Sequence, residues 1–336
     1  MGKRLGKSSR PLLVGVDVGG SKIAALVAGA DHRALGCAQV ATDVTSPERT
    51  LDGVVAAVEQ ALAQAHAGLP DVAAIGLGIP GRVRPDSGVV ESAVNLRWRQ
   101  LPAGPLLAER LGVPCRLEND AKAAALGAYQ TGGESRFQNW AYISVGTGIA
   151  AGLILGGRLH RGPNGMAGEM GHTVVQPGGP RCACGLSGCL EAIAAGPAIV
   201  REARSRLQCT AKSCGPSLLS APGPLTTARV YEAACAGDTV ARVVTRQAGW
   251  YLAQAVHSLV MTCDVERVVF GGGVARAGTA FLDPICEALD HLRQASPLAA
   301  EVLPPGLVGL LPPDHEAALW GALALAEADR VPGLRI

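Results

Sequence analysis

One local pattern occurs twice in this chain, and it sets what the chain can fold into. Pro11 to Asp17 is an apolar strand that runs into a turn at Gly19-Gly20-Ser21 and returns as Ile23 to Gly29. Trp140 to Val145 repeats the pattern through Gly146-Thr147-Gly148 into Ile149 to Leu155. Glycine-rich turns of this kind suit tight hairpins. Each hairpin leads into alternating helix and strand patterns, the signature of an α/β domain. At 336 residues the chain can build two such domains, each with its own core. The expectation is a duplicated α/β core in two lobes, 11–132 and 133–315, each presenting a hydroxyl-bearing glycine turn to the same phosphates.

The other elements follow from period and punctuation. Ala34 to Thr42 reads as a third strand. Ser46-Pro47-Glu48 is a helix start, a capping Ser before Pro in the first turn, and Leu51, Val54, Val55, Val58 and Leu62 then recur at helical spacing. Val72 to Gly81 returns as strand. Pro105 to Leu111 reads as helix, Val113 to Asn119 as strand and Ala121 to Gln130 as helix. In the second half, Gln208 to Thr227 is rich in Ser, Pro and Gly and reads as an irregular connection. Thr239 to Met261 reads as a long helix, Glu266 to Gly273 as strand and glycine turn, Gly278 onward as helix, and Gly306 to Pro312 as a last strand. Asp314 is placed to cap a final helix.

Between the second hairpin and the long helix lies His172 to Cys189, HTVVQPGGPRCACGLSGC. His172, Cys182, Cys184 and Cys189 make a complete tetrahedral Zn²⁺ donor set. With no open position, such an ion shapes a site and takes no part in chemistry. The chain has ten cysteines. MGKRLGKSSR at the N-terminus has no apolar segment of a secretion signal, and no apolar run reaches the roughly 18 residues of a membrane span. The expectation is a cytoplasmic location, where clustered cysteines are metal ligands rather than bridges. Cys37, Cys115, Cys209, Cys214, Cys235, Cys263 and Cys286 then read as ordinary core or surface thiols. A net charge of +2 and 3% aromatics give no footprint for nucleic acid or a membrane surface.

Three further groups carry chemistry. Asp17 to Lys22 is either a plain hairpin turn or an anion nest in which Gly19, Gly20, Ser21 and Lys22 meet phosphate oxygens while Asp17 holds Mg²⁺ through water. Its spacing is not that of a Walker P-loop. Gly272 and Gly273 end a strand and fit an adenosine contact. Asp120 begins a helix at the end of a strand. It is either an N-cap or, at the carboxyl end of an open α/β sheet, a base for a hydroxyl attacking phosphorus. Glu169 and Glu191 flank the zinc segment. They are either solvated acids or walls of a pocket that the metal props open.

DVGGSK, ENDA, VGTGIAAGLILGG, EMGH, CACGLSGCLE, FGGGV and AALWGALALA occur in the order characteristic of the ROK family of repressors, open reading frames and sugar kinases. The chain resembles that family from about Leu12 to Ala328, and within it the bacterial glucokinase branch. The resemblance implies an actin-like, ribonuclease-H-like fold with a duplicated βββαβαβα core, ATP with Mg²⁺, and a helix at about 316–328 returning to the N-terminal lobe. It implies Asp120 as catalytic base. Asn119, Glu169, His172 and Glu191, with the region of Gly81, then hold sugar hydroxyls, and the chain pairs as a homodimer. Two departures stand out. Ser21 replaces the usual Thr and keeps the hydroxyl. Ala150 and Ala151 replace a glycine pair, which would weaken nucleotide binding if that backbone needed positive φ or very close phosphate approach. The repressors' helix-turn-helix has no counterpart in the ten or so residues before the first strand. The expected reaction is transfer of phosphate from ATP to the C6 hydroxyl of glucose, with an N-acetylhexosamine kinase or a non-catalytic sugar sensor as alternatives.

Overall fold

A computed structural model of the chain describes residues 11–29, 31–210 and 217–327. Residues 1–10, Cys214, Ala328 and the side chain of Cys209 lie outside this description. The chain divides into two units. The first holds the described residues up to Glu134, with Arg161–Met166 and the residues from Glu316 on, and the second holds Ser135–His160 and Ala167–His315.

In the first unit, β1 (Leu12–Val18), β2 (Lys22–Ala28) and β3 (Ala34–Ala41) form an antiparallel meander. Helix α1 (Pro47–Gln64) follows, with the Ser46 hydroxyl accepting from the N–H of Arg49 as its cap. Leu51, Val54, Val58 and Leu62 are buried, so the apolar stripe read from the sequence is the one that packs. β4 (Val72–Ile79) lies parallel to β1. Three short strands, β5 (Arg82–Arg84), β6 (Val89–Ala93) and β7 (Trp98–Leu101), make a small antiparallel sheet of their own. Helix α2 (Ala103–Leu111), β8 (Cys115–Asn119) and α3 (Asp120–Thr131) complete the unit's first segment. The main sheet has the order β3-β2-β1-β4-β8. Its core joins Val14, Val16, Ile75 and Leu77 to Val54 and Val58 of α1 and Leu107 of α2.

The second unit repeats this plan. β9 (Trp140–Val145), β10 (Ile149–Leu155) and β11 (Arg158–His160) form the meander. A long excursion carries the cysteine segment and the helices α4 (Glu191–Ala194), α5 (Gly196–Thr210) and α6 (Thr227–Cys235). Then come α7 (Thr239–Cys263), β12 (Arg267–Gly271), α8 (Thr279–Ala295), α9 (Pro297–Val302) and β13 (Val308–Leu310). The order β11-β10-β9-β12-β13 matches the first sheet strand for strand. β12 is parallel to β9 and β13 to β12, as β4 and β8 are parallel to β1 and β4. The sequence reading of Gln208 to Thr227 as irregular holds only for its centre. Helix α5 reaches Thr210, and α6 starts at Thr227 behind a Thr226 cap.

Helix α10 (Ala317–Glu327) belongs to the first unit. It begins at Ala317, later than an Asp314 cap would place it, and the N–H of Trp320 bonds the carbonyl of Glu316. This helix lies directly on bare backbone. A Cβ on Gly76 of β4 would fall on the carbonyl oxygen of Ala322, and one on Gly321 on that of Ala123 in α3. Both glycines are present because nothing larger fits between these elements. Gly321→Ala should therefore lower the melting temperature by about 2–10 °C, since overpacking of this kind costs about 1–3 kcal/mol. Helix propensity alone would raise it, alanine being worth up to about 1 kcal/mol over glycine. Thermal denaturation followed by circular dichroism decides the sign.

Candidate active site

In the first unit, the turn after β1 is held from both sides. Gly19 N–H donates to the Lys22 carbonyl at 2.9 Å, and the Thr42 hydroxyl donates to the Gly19 carbonyl at 2.8 Å. Thr42 N–H also takes the Ser21 carbonyl at 3.1 Å, leaving the side chains of Ser21 and Lys22 exposed. Asp17 sits at the last turn of β1, paired in register with Gly78 of β4. A Cβ on Gly78 would lie 3.6 Å from Asp120 Cα, so the missing side chain lets the start of α3 settle against this sheet.

Asp120 is the first residue of α3, and its cap is Asn119, not Asp120 itself. Asn119 Oδ1 accepts from Lys122 N–H at 3.1 Å. Asn119 Nδ2 donates to both the Gly81 carbonyl and Asp120 Oδ1, each at 3.0 Å. The N–H of Ala121 adds a 2.8 Å bond to the same Asp120 oxygen. The carboxylate therefore has a set orientation at the positive end of a helix. Gly81 has φ +93°, and a side chain there would strike the Ser92 carbonyl.

Sequence reading missed two buried contacts beside Asp120. Glu118 Oε2 pairs with Arg161 Nε at 2.5 Å, and Lys122 Nζ donates to the Gly165 carbonyl at 3.0 Å. Glu118 and Lys122 are each only 2% exposed. Together they bind Arg161–Met166 to the first unit. Asn95 was also missed. Its side chain stands 3.4 Å from where a Cβ of Gly20 would be, against the glycine turn. A charged pair or a turn neighbour of this range leaves no periodic trace in a sequence.

In the second unit, Gly146 N–H donates to the Gly148 carbonyl at 2.9 Å, closing the second glycine turn. Gly272, at φ +88°, and Gly273 lie beside it, with Val274 N–H donating to the Val145 carbonyl. These turns open on a cavity of about 670 Å³ lined by Thr147, Pro197, Val200, Arg201, Arg204 and Val274 among others. It is walled chiefly by aliphatic groups with two arginines, the surroundings a nucleobase needs. Ala150 and Ala151 belong to β10, paired with Ser144 and Ile143, and neither has positive φ. Positive φ is therefore not what a glycine pair would supply at these two positions.

Glu169 precedes a single helical turn, Met170–His172, and Glu191 opens α4. Between them, the donor atoms of His172, Cys182, Cys184 and Cys189 all lie within 4.8 Å of one another. His172 Nδ1 is 3.6 Å from Cys182 Sγ, and Cys184 Sγ is 3.6 Å from Cys189 Sγ. Zinc–sulfur bonds of about 2.3 Å in a tetrahedron imply edges of about 3.8 Å, so the donor set fits the ion. Nδ1 faces the sulfurs, which leaves Nε2 for another partner. Leu186 N–H pulls the Cys184 thiol below its ordinary range, and burial pushes the Cys189 thiol up to about 12. Metal binding here must release protons.

Burial pushes the Asp17 carboxyl up to about 6. The charge of Asp120 pushes the same way, with Lys22 opposing and Glu316 adding a smaller push. The folded protein thus holds this proton more tightly than the unfolded chain, whose value is 3.8. Stability is lost as pH rises from about 4 through about 6, and the whole cost is present above that. Asp17→Asn should therefore stabilise the metal-free protein at pH 8 by on the order of 2–3 kcal/mol, at about 1.4 kcal/mol per pKa unit. The gain should vanish toward pH 4. Melting curves across that range test it, and a gain independent of pH would refute burial as the cause.

The model of the ROK family matches residues 13–329. A glucokinase of Streptomyces coelicolor is 36% identical over 277 residues, 82% of this chain and 86% of that protein. Among solved structures, a ROK hexokinase from Thermus thermophilus is 35% identical with a TM-score of 0.77, covering 95% of this chain and 98% of that one. A ROK glucokinase from Streptomyces griseus in complex with glucose and AMPPNP is 34% identical with a TM-score of 0.79, covering 94% and 99%. With the duplicated sheet, the two glycine turns and the His-Cys₃ cluster in place, the chain belongs to the ROK family.

Proposed function

We propose that this protein is an ATP-dependent sugar kinase that phosphorylates glucose at its C6 hydroxyl. The observation that carries the reading is the Asp120 carboxylate, oriented at the end of β8 by Asn119 and by its own helix terminus. Asp120 accepts the proton of the C6 hydroxyl as that oxygen attacks the γ-phosphorus of ATP. The bond to the β-phosphate oxygen breaks and ADP leaves. Asn119, Glu169, His172 and Glu191 hold the ring hydroxyls, and the carbonyl of Gly81 fixes Asn119 for this role. Mg²⁺, when bound, offsets phosphate charge, and Asp17 is the carboxylate to hold it through water.

Phosphate oxygens fall to the backbone and side chains of Gly19, Gly20, Ser21 and Lys22 in one turn. Gly146, Thr147 and Gly148 serve in the other, with Gly272 and Gly273 toward the base. His172, Cys182, Cys184 and Cys189 hold a structural Zn²⁺ that fixes Glu169 and Glu191 from the loop between them. Kinship to glucokinases that cover most of the chain, one of them solved with glucose and an ATP analogue, supports the substrate pair.

ADP release with Mg·ATP should respond strongly to glucose in a panel with mannose, fructose, allose, N-acetylglucosamine and N-acetylmannosamine. Response to an N-acetylated sugar alone would keep the chemistry and change the substrate. No response from folded protein would favour a sugar sensor. Asp120→Asn should cut turnover by about 10²–10⁴-fold, the range of general-base catalysis, while glucose still binds in calorimetry. Near-normal turnover would remove Asp120 from its role. Metal analysis should return one zinc per chain, and Cys184→Ala should lose both the metal and glucose binding.

A further inference from the structure

Glu191 stands in the sugar-holding set, yet its carboxylate is hydrogen-bonded to the phosphate turn. Oε2 accepts the N–H of Ile149 at 3.1 Å, the peptide that directly follows Gly146-Thr147-Gly148. The same oxygen lies 2.5 Å from where a Cβ of Gly148 would sit, so glycine at 148 is required by Glu191 itself. The other oxygen, Oε1, takes no hydrogen bond from the described residues. One carboxylate thus offers one oxygen to the turn and one to a ligand.

Neighbouring contacts make this junction stiff. Ala151 N–H donates to the Gly168 carbonyl at 2.7 Å, and Gly171 packs bare against the Ile149 carbonyl. The segment bearing Glu169 and His172 is therefore laid along the same short edge of β10. On the far side of Glu191, Gly196 N–H donates to the Gly146 carbonyl at 2.9 Å. Arg201, which lines the cavity beside the glycine turns, donates to the Ala192 carbonyl of α4.

We infer that Glu191 is a positioning residue for the phosphate turn as well as a sugar ligand, so that sugar and nucleotide affinities are coupled through its carboxylate. The inference rests on the kinase reading. A sugar hydroxyl on Oε1 fixes the carboxylate, and Oε2 then fixes the Ile149 peptide and the turn before it. By linkage, the nucleotide must favour sugar binding by the same factor.

Calorimetry on the zinc-loaded full chain tests this, using Mg·AMPPNP and the sugar that gives the greatest ADP release. In the wild type each ligand should tighten the other by at least about fivefold, the lower end of ordinary coupling. The informative effects are crossed. Gly148→Ala, a change in the phosphate turn, should weaken sugar binding about tenfold or more with no nucleotide present. Glu191→Gln, a change among the sugar ligands, should weaken AMPPNP binding with no sugar present, because its amide oxygen gives Ile149 N–H a weaker, uncharged acceptor. In both variants the coupling factor should fall toward one. Zinc content and melting temperature check that each variant is folded. If Gly148→Ala does not fold, Glu191→Gln decides alone. If each variant weakens only its own ligand and the coupling factor stays at the wild-type value, Glu191 has no role in the turn. A wild type that binds neither ligand removes the kinase reading, and this inference with it.

Discussion

The side chain of Asn119 is the constraint on which the placement of Asp120 in the first unit depends. Its amide oxygen satisfies a helix N–H that would otherwise lack a partner. Its amide nitrogen reaches the Gly81 carbonyl and Asp120. A carboxylate one residue inside a helix would ordinarily turn toward solvent or cap the helix for itself. Because the cap is already taken, Asp120 is left to present its carboxylate from a fixed stem. Among the common capping residues Ser, Thr, Asp and Asn, asparagine alone has the acceptor and the two N–H donors that this arrangement uses.

Both units place their glycine turns by one topological rule. Each sheet runs a hairpin into parallel strands, and the glycine turns and Asp120 sit at strand ends where an open α/β sheet leaves room. The rest of the first unit's surroundings is bought with buried charge. The pair Glu118–Arg161 and the ammonium of Lys122 tie a distant stretch of chain beside Asp120. Such groups rarely add stability over apolar packing, but removing one partner strands the other. Their value here is placement.

Much of this was legible in the residues. Both hairpins, the α1 stripe, the long helix α7 and the His-Cys₃ spacing each carry a period or a ligand count that few other folds satisfy. Strands β5 to β7 were not legible, because they are three to five residues long and rich in arginine and half-exposed positions. Helix α5 hid behind Gly196-Pro197, which reads as a loop. Asn119 and Asp120 are equally good caps by type, so only geometry separates them. The alanines at 150 and 151 fall in the returning strand that the sequence itself places at Ile149 to Leu155, where no positive φ is called for.

The packing of α10 has a consequence for how the protein is made. The strands it covers, β1 and β4, leave the ribosome before the second unit, whereas Ala317–Glu327 follows it. Until then the sheet offers a strip of exposed peptide around Gly15 and Gly76 where a helix belongs. Chains usually fold domain by domain from the N-terminus. Here the unit begun first is the one completed last, and its nascent sheet must be shielded for as long as translation of the second unit takes.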